Sequence, residues 1–220
     1  MTSRVEREHR THPREDGAPS LGERFVRALR LAFELHGAQA RKGSGVPYYG
    51  HLLGVTSLVI ETGGSEDEAI AALLHDAAED QGGYAILERI RAEFGAGVAA
   101  VVEECSDSFG EPKPPWRQRK EAYLEHLEEA SDSALRVSLA DKLHNVRTIV
   151  VDYREAGERL WDRFNAGRED VLWYYRSLAA AFARLRPGAL ATELGEAVAE
   201  LERLVEKAIA GSASPRNQGM

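Results

Sequence analysis

The chain has 220 residues, with 28 Lys and Arg against 36 Asp and Glu and a formal charge of −8. This length suits one substantial domain, and the acidic balance speaks against an extended nucleic-acid interface, which needs a basic face. Cys105 is the sole cysteine, which excludes an intrachain disulfide and a cysteine metal cluster, and no uncharged stretch reaches the length of a membrane span.

Residues 1–20 are rich in Arg, Glu, His and Pro without an apolar signal core, and read as a disordered arm of a cytoplasmic protein. From Leu21 to Ala40, Phe25, Leu29, Ala32 and Phe33 form a helical apolar stripe, broken by Gly43-Ser44-Gly45-Val46-Pro47. A second helix runs from about Tyr49 through Leu53, Val55, Leu58 and Val59 to the turn Thr62-Gly63-Gly64. Ser65 and Glu68 have capping-box spacing and open the helix that carries His75. Gly82-Gly83 precedes a helix from Ala85 to Phe94, and Val98, Val101 and Val102 resume the pattern beyond Gly95 and Gly97.

Three prolines in 111–115 forbid helix, which restarts from Trp116 to Glu129. Asp132 is the expected cap of a long helix from Ser133 to about Tyr153, with Leu135, Leu139, Leu143, Val146 and Val150 inward. Two more helices, about Arg168–Leu185 and Ala189–Ala208, flank Pro187-Gly188 and could brace or cover the bundle, and 211–220 reads as a frayed tail. The expectation is an all-α fold with residues 21–210 as a single domain.

One feature resists a purely structural reading. His75-Asp76 follows the apolar run Ala69-Ile70-Ala71-Ala72-Leu73-Leu74, where a histidine and a carboxylate are costly to bury unless something binds them. Glu79 and Asp80 lie one turn on, placing four acid-base or ligand groups on one helical surface. His51 and Asp141, the latter framed by Leu139-Ala140 and Leu143, are comparable groups on other helices. Two imidazoles and two carboxylates suit Mn²⁺, Fe²⁺ or Zn²⁺. Taken singly, His51 could be a core histidine and Asp141 a helix-helix anchor.

Four stretches in order carry a family resemblance: 32–42 (AFELHGAQARK), 47–51 (PYYGH), 71–80 (AALLHDAAED) and 140–148 (ADKLHNVRT). Across about residues 21–155 the chain resembles the HD-domain metallophosphohydrolases, in particular the hydrolase domain of RelA/SpoT-type (p)ppGpp enzymes and their small stand-alone relatives. The resemblance implies an HD-domain helical bundle with additional C-terminal helices. It implies Mn²⁺ held by His51, His75, Asp76 and Asp141. Glu79 and Asp80 match the acidic pair that orders or activates water, with Glu79 favoured as the base. The implied reaction removes the 3′-pyrophosphate of guanosine tetra- or pentaphosphate, leaving GDP or GTP.

Phosphates need cationic partners, and Arg41 and Lys42 flank the glycine loop. The resemblance brings these two to the nucleotide, together with Asn145, one turn after Asp141. It also points to the basic segment Lys113, Arg117, Arg119 and Lys120, of which Lys113 and Arg117 are taken as substrate contacts, and to Tyr174 as a pocket aromatic. Read alone, that segment is a solvated helix face and Trp173-Tyr174-Tyr175 is core. His36 braces the fold and His144 stands behind the ligands.

The chain departs from the family at Leu52, where proline is usual, at 106–109 and in the Lys113-Pro114-Pro115-Trp116 loop, which weakens the case for guanine recognition while sparing the metal chemistry. Two other readings stand beside the first: the same site acting on another nucleotide such as NADPH, and a non-catalytic alarmone-binding module. No nucleic-acid or membrane partner is expected, and a homo-oligomer is left open.

Overall fold

A computed structural model describes residues 20–106 and 114–213. The first helix, α1 (Glu23–His36), leads into a loop pinned by an isolated antiparallel bridge between Ala40 and Pro47. Arg41 N–H donates to Val46 O at 2.8 Å and Tyr48 N–H to Gln39 O at 2.8 Å, so 41–46 forms a closed projection. Gly43 and Gly45 turn that projection with φ of 82° and 71°, values that L side chains resist. This bridge is the only strand-like pairing among the described residues.

Next come α2 (Tyr49–Glu61), α3 (Glu66–Leu74) and the single turn and a half of α4 (Ala77–Gln81). The capping box is present: Ser65 Oγ accepts from Glu68 N–H at 3.2 Å, and Ser65 N–H donates to Glu68 Oε2 at 2.7 Å. Every residue from Ala69 to Leu74 is buried, because α3 packs against α1, α2, α6 and α8 at once. That central position explains an apolar run with no polar face. The expected single helix through His75 and Asp80 is instead interrupted: α3 ends at Leu74 and α4 begins at Ala77, with only the Asp80 N–H to Asp76 O bond (2.9 Å) keeping the i, i+4 spacing.

α5 (Tyr84–Phe94) and α6 (Ala96–Cys105) form a pair on one flank, and Cys105 is buried as expected. α7 (Trp116–His126) precedes the long α8 (Asp132–Ala156). The cap of α8 is Ser131, whose Oγ accepts from Ala134 N–H at 3.2 Å; Asp132 is the first helical residue rather than the cap. A 3₁₀ segment, Gly157–Arg163, absent from the sequence-based reading, buries Leu160 and Trp161 and turns the chain into α9 (Arg168–Leu185).

α10 (Ala189–Ala213) runs back along α8 and α9 as a brace. It passes the expected end near Ala208 and takes in residues 211–213, which the sequence assigned to a tail; the rest of that tail, like the 1–19 arm, lies outside the described residues. Leu52, Val55, Val59, Ile70, Leu73, Leu74, Leu139, Leu143 and Val146 interlock α2, α3 and α8, the three elements that bring His51, His75 and Asp141 together. No described helix is long and apolar enough to cross a membrane.

Candidate metal centre and adjoining cavity

His51 from α2, His75 at the end of α3 and Asp141 from α8 are all buried, and their donor atoms lie within 4.8 Å of one another. His51 Nε2 is 3.2 Å from Asp141 Oδ1 and 3.7 Å from Asp76 Oδ2. His75 Nε2 is 3.0 Å from Asp76 Oδ2 and 3.7 Å from Asp141 Oδ1. The four side chains expected as ligands therefore converge.

Their outward atoms are tied back. His75 Nδ1 meets Ala72 O at 2.9 Å, a bond that puts the proton on Nδ1 and turns the Nε2 lone pair inward. Although close to two carboxylates, His75 Nε2 is a buried nitrogen with no properly formed hydrogen bond among the described residues. A buried donor atom aimed at a shared centre, among two imidazoles and two carboxylates, fits a divalent cation.

The electrostatics agree. Burial alone would raise the Asp141 pKa, but the Lys142 ammonium at 2.7 Å, then the nearby His51 and His75 imidazoles, hold it well below the usual carboxylate range. Asp76 is likewise held low against burial by the His75 charge. His75 is pushed well above its ordinary value: burial opposes charge there, and Asp76 and Asp141 outweigh it. Without metal, a proton on His75 offsets carboxylate charge that a cation would otherwise neutralise.

A second tier of residues fixes these groups. Tyr48 Oη donates a short bond to Asp76 Oδ2, and its ring stacks on the buried His36. His36 Nδ1 meets Gln39 Oε1 at 2.6 Å, and Gln39 Nε2 donates to Asp80 Oδ2 at 2.9 Å. Asn145 Nδ2 donates to Asp141 Oδ1 at 2.5 Å, while its Oδ1 accepts from Arg41 Nη2 at 2.7 Å. His51 Nδ1 lies 3.0 Å from His144 Nδ1. Burial, then the charges of His51 and Arg41, push the pKa of His144 down to about 4, so it stays neutral near pH 7.

Beside the cluster lies a cavity of about 410 Å³. Tyr48 and Asn145, bonded to the carboxylates of Asp76 and Asp141, form the wall it shares with the cluster. Glu79 lines it too, with Trp116 and Tyr175 as aromatic wall. Five cations, Arg41, Lys42, Arg119, Lys120 and Arg163, face two carboxylates, Glu79 and Asp152, so this concavity is locally basic in an acidic chain. Buried Arg41 Nη1 has no hydrogen-bond partner among the described residues. A larger cleft of about 730 Å³ at the α9–α10 corner, lined by Arg136, Arg186 and Pro187 among others, has no lining residue with a side-chain bond to the cluster, unlike Tyr48 and Asn145 in the smaller cavity, and is set aside as a reaction site.

The sequence pattern that defines the HD domain matches residues 28–172, about two thirds of the chain. The chain belongs to the HD-domain family. It is 39% identical over 128 residues to the guanosine-3′,5′-bis(diphosphate) 3′-pyrophosphohydrolase MESH1 of Xenopus tropicalis, covering 57% of this chain and 69% of that one. It is 35% identical over 143 residues to a guanosine-3′,5′-bis(diphosphate) 3′-pyrophosphohydrolase of Aquifex aeolicus, 64% of this chain but 20% of that longer protein. The solved structure of a metazoan SpoT orthologue shares the fold, with a TM-score of 0.58 at 23% identity over 89% of this chain and 99% of that one.

Within this HD domain the remaining sequence-derived candidates divide. Arg41, Lys42 and Asn145 line the cavity, and Lys42 Nζ also donates to Asn165 Oδ1 at 2.6 Å. Glu79 lines it, whereas Asp80 is exposed and held by Gln39. Arg117 is not in the lining: it pairs with Glu121 and Asp170 and lies 3.2 Å over the Trp173 ring, while Arg119 and Lys120 of the same helix line the cavity. Tyr174 is not in the lining either; it sits behind Trp116 and Lys120, and its neighbour Tyr175 forms the wall. Lys113 lies outside the described residues.

Residues that sequence reasoning missed include Gln39, Tyr48, Arg163 and Asn165. Tyr48 stood in the quoted 47–51 stretch, so its position beside His51 was a readable signal. Arg163 and Asn165 had none, because the 3₁₀ segment and the bend that follows it carry no periodicity.

Proposed function

We propose that this HD domain is a Mn²⁺-dependent phosphohydrolase that cleaves guanosine 3′,5′-bis(diphosphate), and its pentaphosphate analogue, at the 3′ position. Water and ppGpp give GDP and pyrophosphate: a new bond forms from the water oxygen to phosphorus, the bond from that phosphorus to the 3′ oxygen breaks, and that oxygen takes a proton. The observation that carries the reading is the wall shared by the buried His/Asp cluster and a cation-lined cavity. The names of the relatives support the substrate.

His51, His75, Asp76 and Asp141 hold the ion, which when bound supplies a Lewis acid and a water of lowered pKa. Glu79, in the cavity wall, takes the proton of the attacking water. Asp80, fixed by Gln39, stands next to that base in the chain and helps orient the water. Arg41 binds a phosphate oxygen through its unused Nη1 while Asn145 holds its other arm. Lys42, Arg119, Lys120 and Arg163 neutralise the remaining phosphate charge, and Trp116 and Tyr175 give the base an apolar wall.

Purified protein with Mn²⁺ is tested against ppGpp, pppGpp, NADPH and simple nucleoside phosphates. Pyrophosphate release from ppGpp, reduced at least about a hundredfold in Asp80→Asn and Glu79→Gln, is expected. Preference for NADPH would reassign the substrate, and binding of ppGpp without cleavage under any metal condition would leave a binding module.

A further inference from the structure

We infer that Gly54 and His144 form a paired device that sets the direction and tautomer of the metal ligand His51; this rests on the metal-centre reading above. His51 presents Nε2 to Asp141 and Asp76, so its Nδ1 must carry the hydrogen if Nε2 is to keep a lone pair for a cation. That hydrogen meets one acceptor, His144 Nδ1 at 3.0 Å, with the two rings edge to face at 4.9 Å between centroids. One proton fits between two Nδ1 atoms; with His51 donating, His144 carries its own on Nε2. Outer partners of this kind commonly fix the ring and tune the affinity of a metal histidine.

The approach is possible only because residue 54 lacks a side chain. Gly54 stands one turn after His51 on α2, and a Cβ built there would lie 2.3 Å from both Cδ2 and Nε2 of His144. Glycine inside a helix costs stability relative to alanine, and at this position the space is filled by the imidazole of the facing helix. On α8, Asp141, His144 and Asn145 share one face, so a single stripe carries a ligand, the brace of the His51 ligand and the brace of Asp141 itself. Gly54 and His144 are positioning residues: neither supplies a donor atom to the cluster.

The test measures Mn²⁺ dissociation constants and metal-free thermal unfolding for Gly54→Ala, His144→Ala, His144→Asn and the double variant Gly54→Ala/His144→Ala. His144→Ala is expected to weaken Mn²⁺ binding roughly 10- to 100-fold, and Gly54→Ala comparably, because the new methyl drives the ring away. In the double variant the losses do not add, since the methyl occupies space the ring has left. His144→Asn, whose Oδ1 takes the place of Nδ1 as acceptor, recovers most of the affinity and serves if the alanine variant does not fold. Wild-type affinity in His144→Ala, or additive losses in the double variant, would overturn the inference while leaving the metal centre standing. Failure of the unaltered protein to bind Mn²⁺ would overturn both.

Discussion

Arg41 offers the sharpest probe of how the cavity and the metal cluster cooperate. Its Nη2 donates to Asn145, Asn145 donates to Asp141, and its Nη1 is buried with no partner among the described residues. A hydrogen bond from a cation to phosphate contributes about 1.5–3 kcal/mol, so Arg41→Ala is expected to lower kcat/KM for ppGpp roughly 10- to 150-fold. Because the Asn145–Asp141 bond survives the substitution, the Mn²⁺ Kd should stay within about threefold of wild type. Arg41→Lys keeps the charge, but one ammonium cannot replace a fork that serves Asn145 and a phosphate together, so a loss of about tenfold remains. Steady-state hydrolysis paired with Mn²⁺ titration reads both effects. If Arg41→Ala retained kcat/KM within about threefold, the assignment of Nη1 to substrate would be refuted; if it weakened Mn²⁺ as much as turnover, Arg41 would act through Asn145 on the ligand instead.

Other expectations follow from the same geometry. Lys120→Ala, in the cavity wall, should raise KM several-fold with an effect that shrinks as salt increases, whereas Arg117→Ala, paired with Glu121 and Asp170, should leave KM unchanged; the reverse order would restore Arg117 as the contact. The pKa of His75 in the metal-free protein is raised above 6.5 by Asp76 and Asp141 against burial, so the proton competes with metal. Mn²⁺ affinity should therefore climb with pH until that raised pKa is passed, with proton uptake by the buffer seen in calorimetry; a pH-independent Kd between pH 6 and 8, where ordinary histidine titrates, would count against it. For the metal-free fold the sign is opposite: the stabilisation from charged His75 is full below its ordinary value and fades as pH rises through the raised one. Leu73→Ala, in the fully buried run that leads to His75, should cost about 2–5 kcal/mol in urea unfolding, and a loss below about 1 kcal/mol would mean that α3 is not the packed centre of the bundle.

The helices, and His51, His75, Asp76 and Asp141 as groups the core must satisfy, were legible because each rests on local rules; that the four meet came from the family resemblance. Ser65-Glu68 is a capping signature with both bonds formed, and carboxylates and histidines inside apolar frames at 75–76 and 141 mark groups that the core must satisfy. What escaped notice depends on the partner helix. On a helix Tyr174 and Tyr175 point about 100° apart and Arg117 and Lys120 about 60° apart, so which of each pair meets the cavity is decided by how α7 and α9 sit, which neither residue encodes. The break between Leu74 and Ala77 falls in an alanine-rich stretch with no proline or glycine to announce it. The glycine at 54 was visible inside a helical pattern, but its purpose is the ring of His144, 90 positions later in the chain.

Phosphorus NMR of the reaction tests the central claim most directly. Protein stripped of metal by a chelator is mixed with ppGpp before and after Mn²⁺ is restored. The expected spectra show no turnover without metal and then pyrophosphate and GDP in equal amounts, with the reaction absent from Asp141→Asn. Orthophosphate in place of pyrophosphate, or cleavage that persists after chelation and in Asp141→Asn, would contradict a metal-dependent 3′-pyrophosphohydrolase.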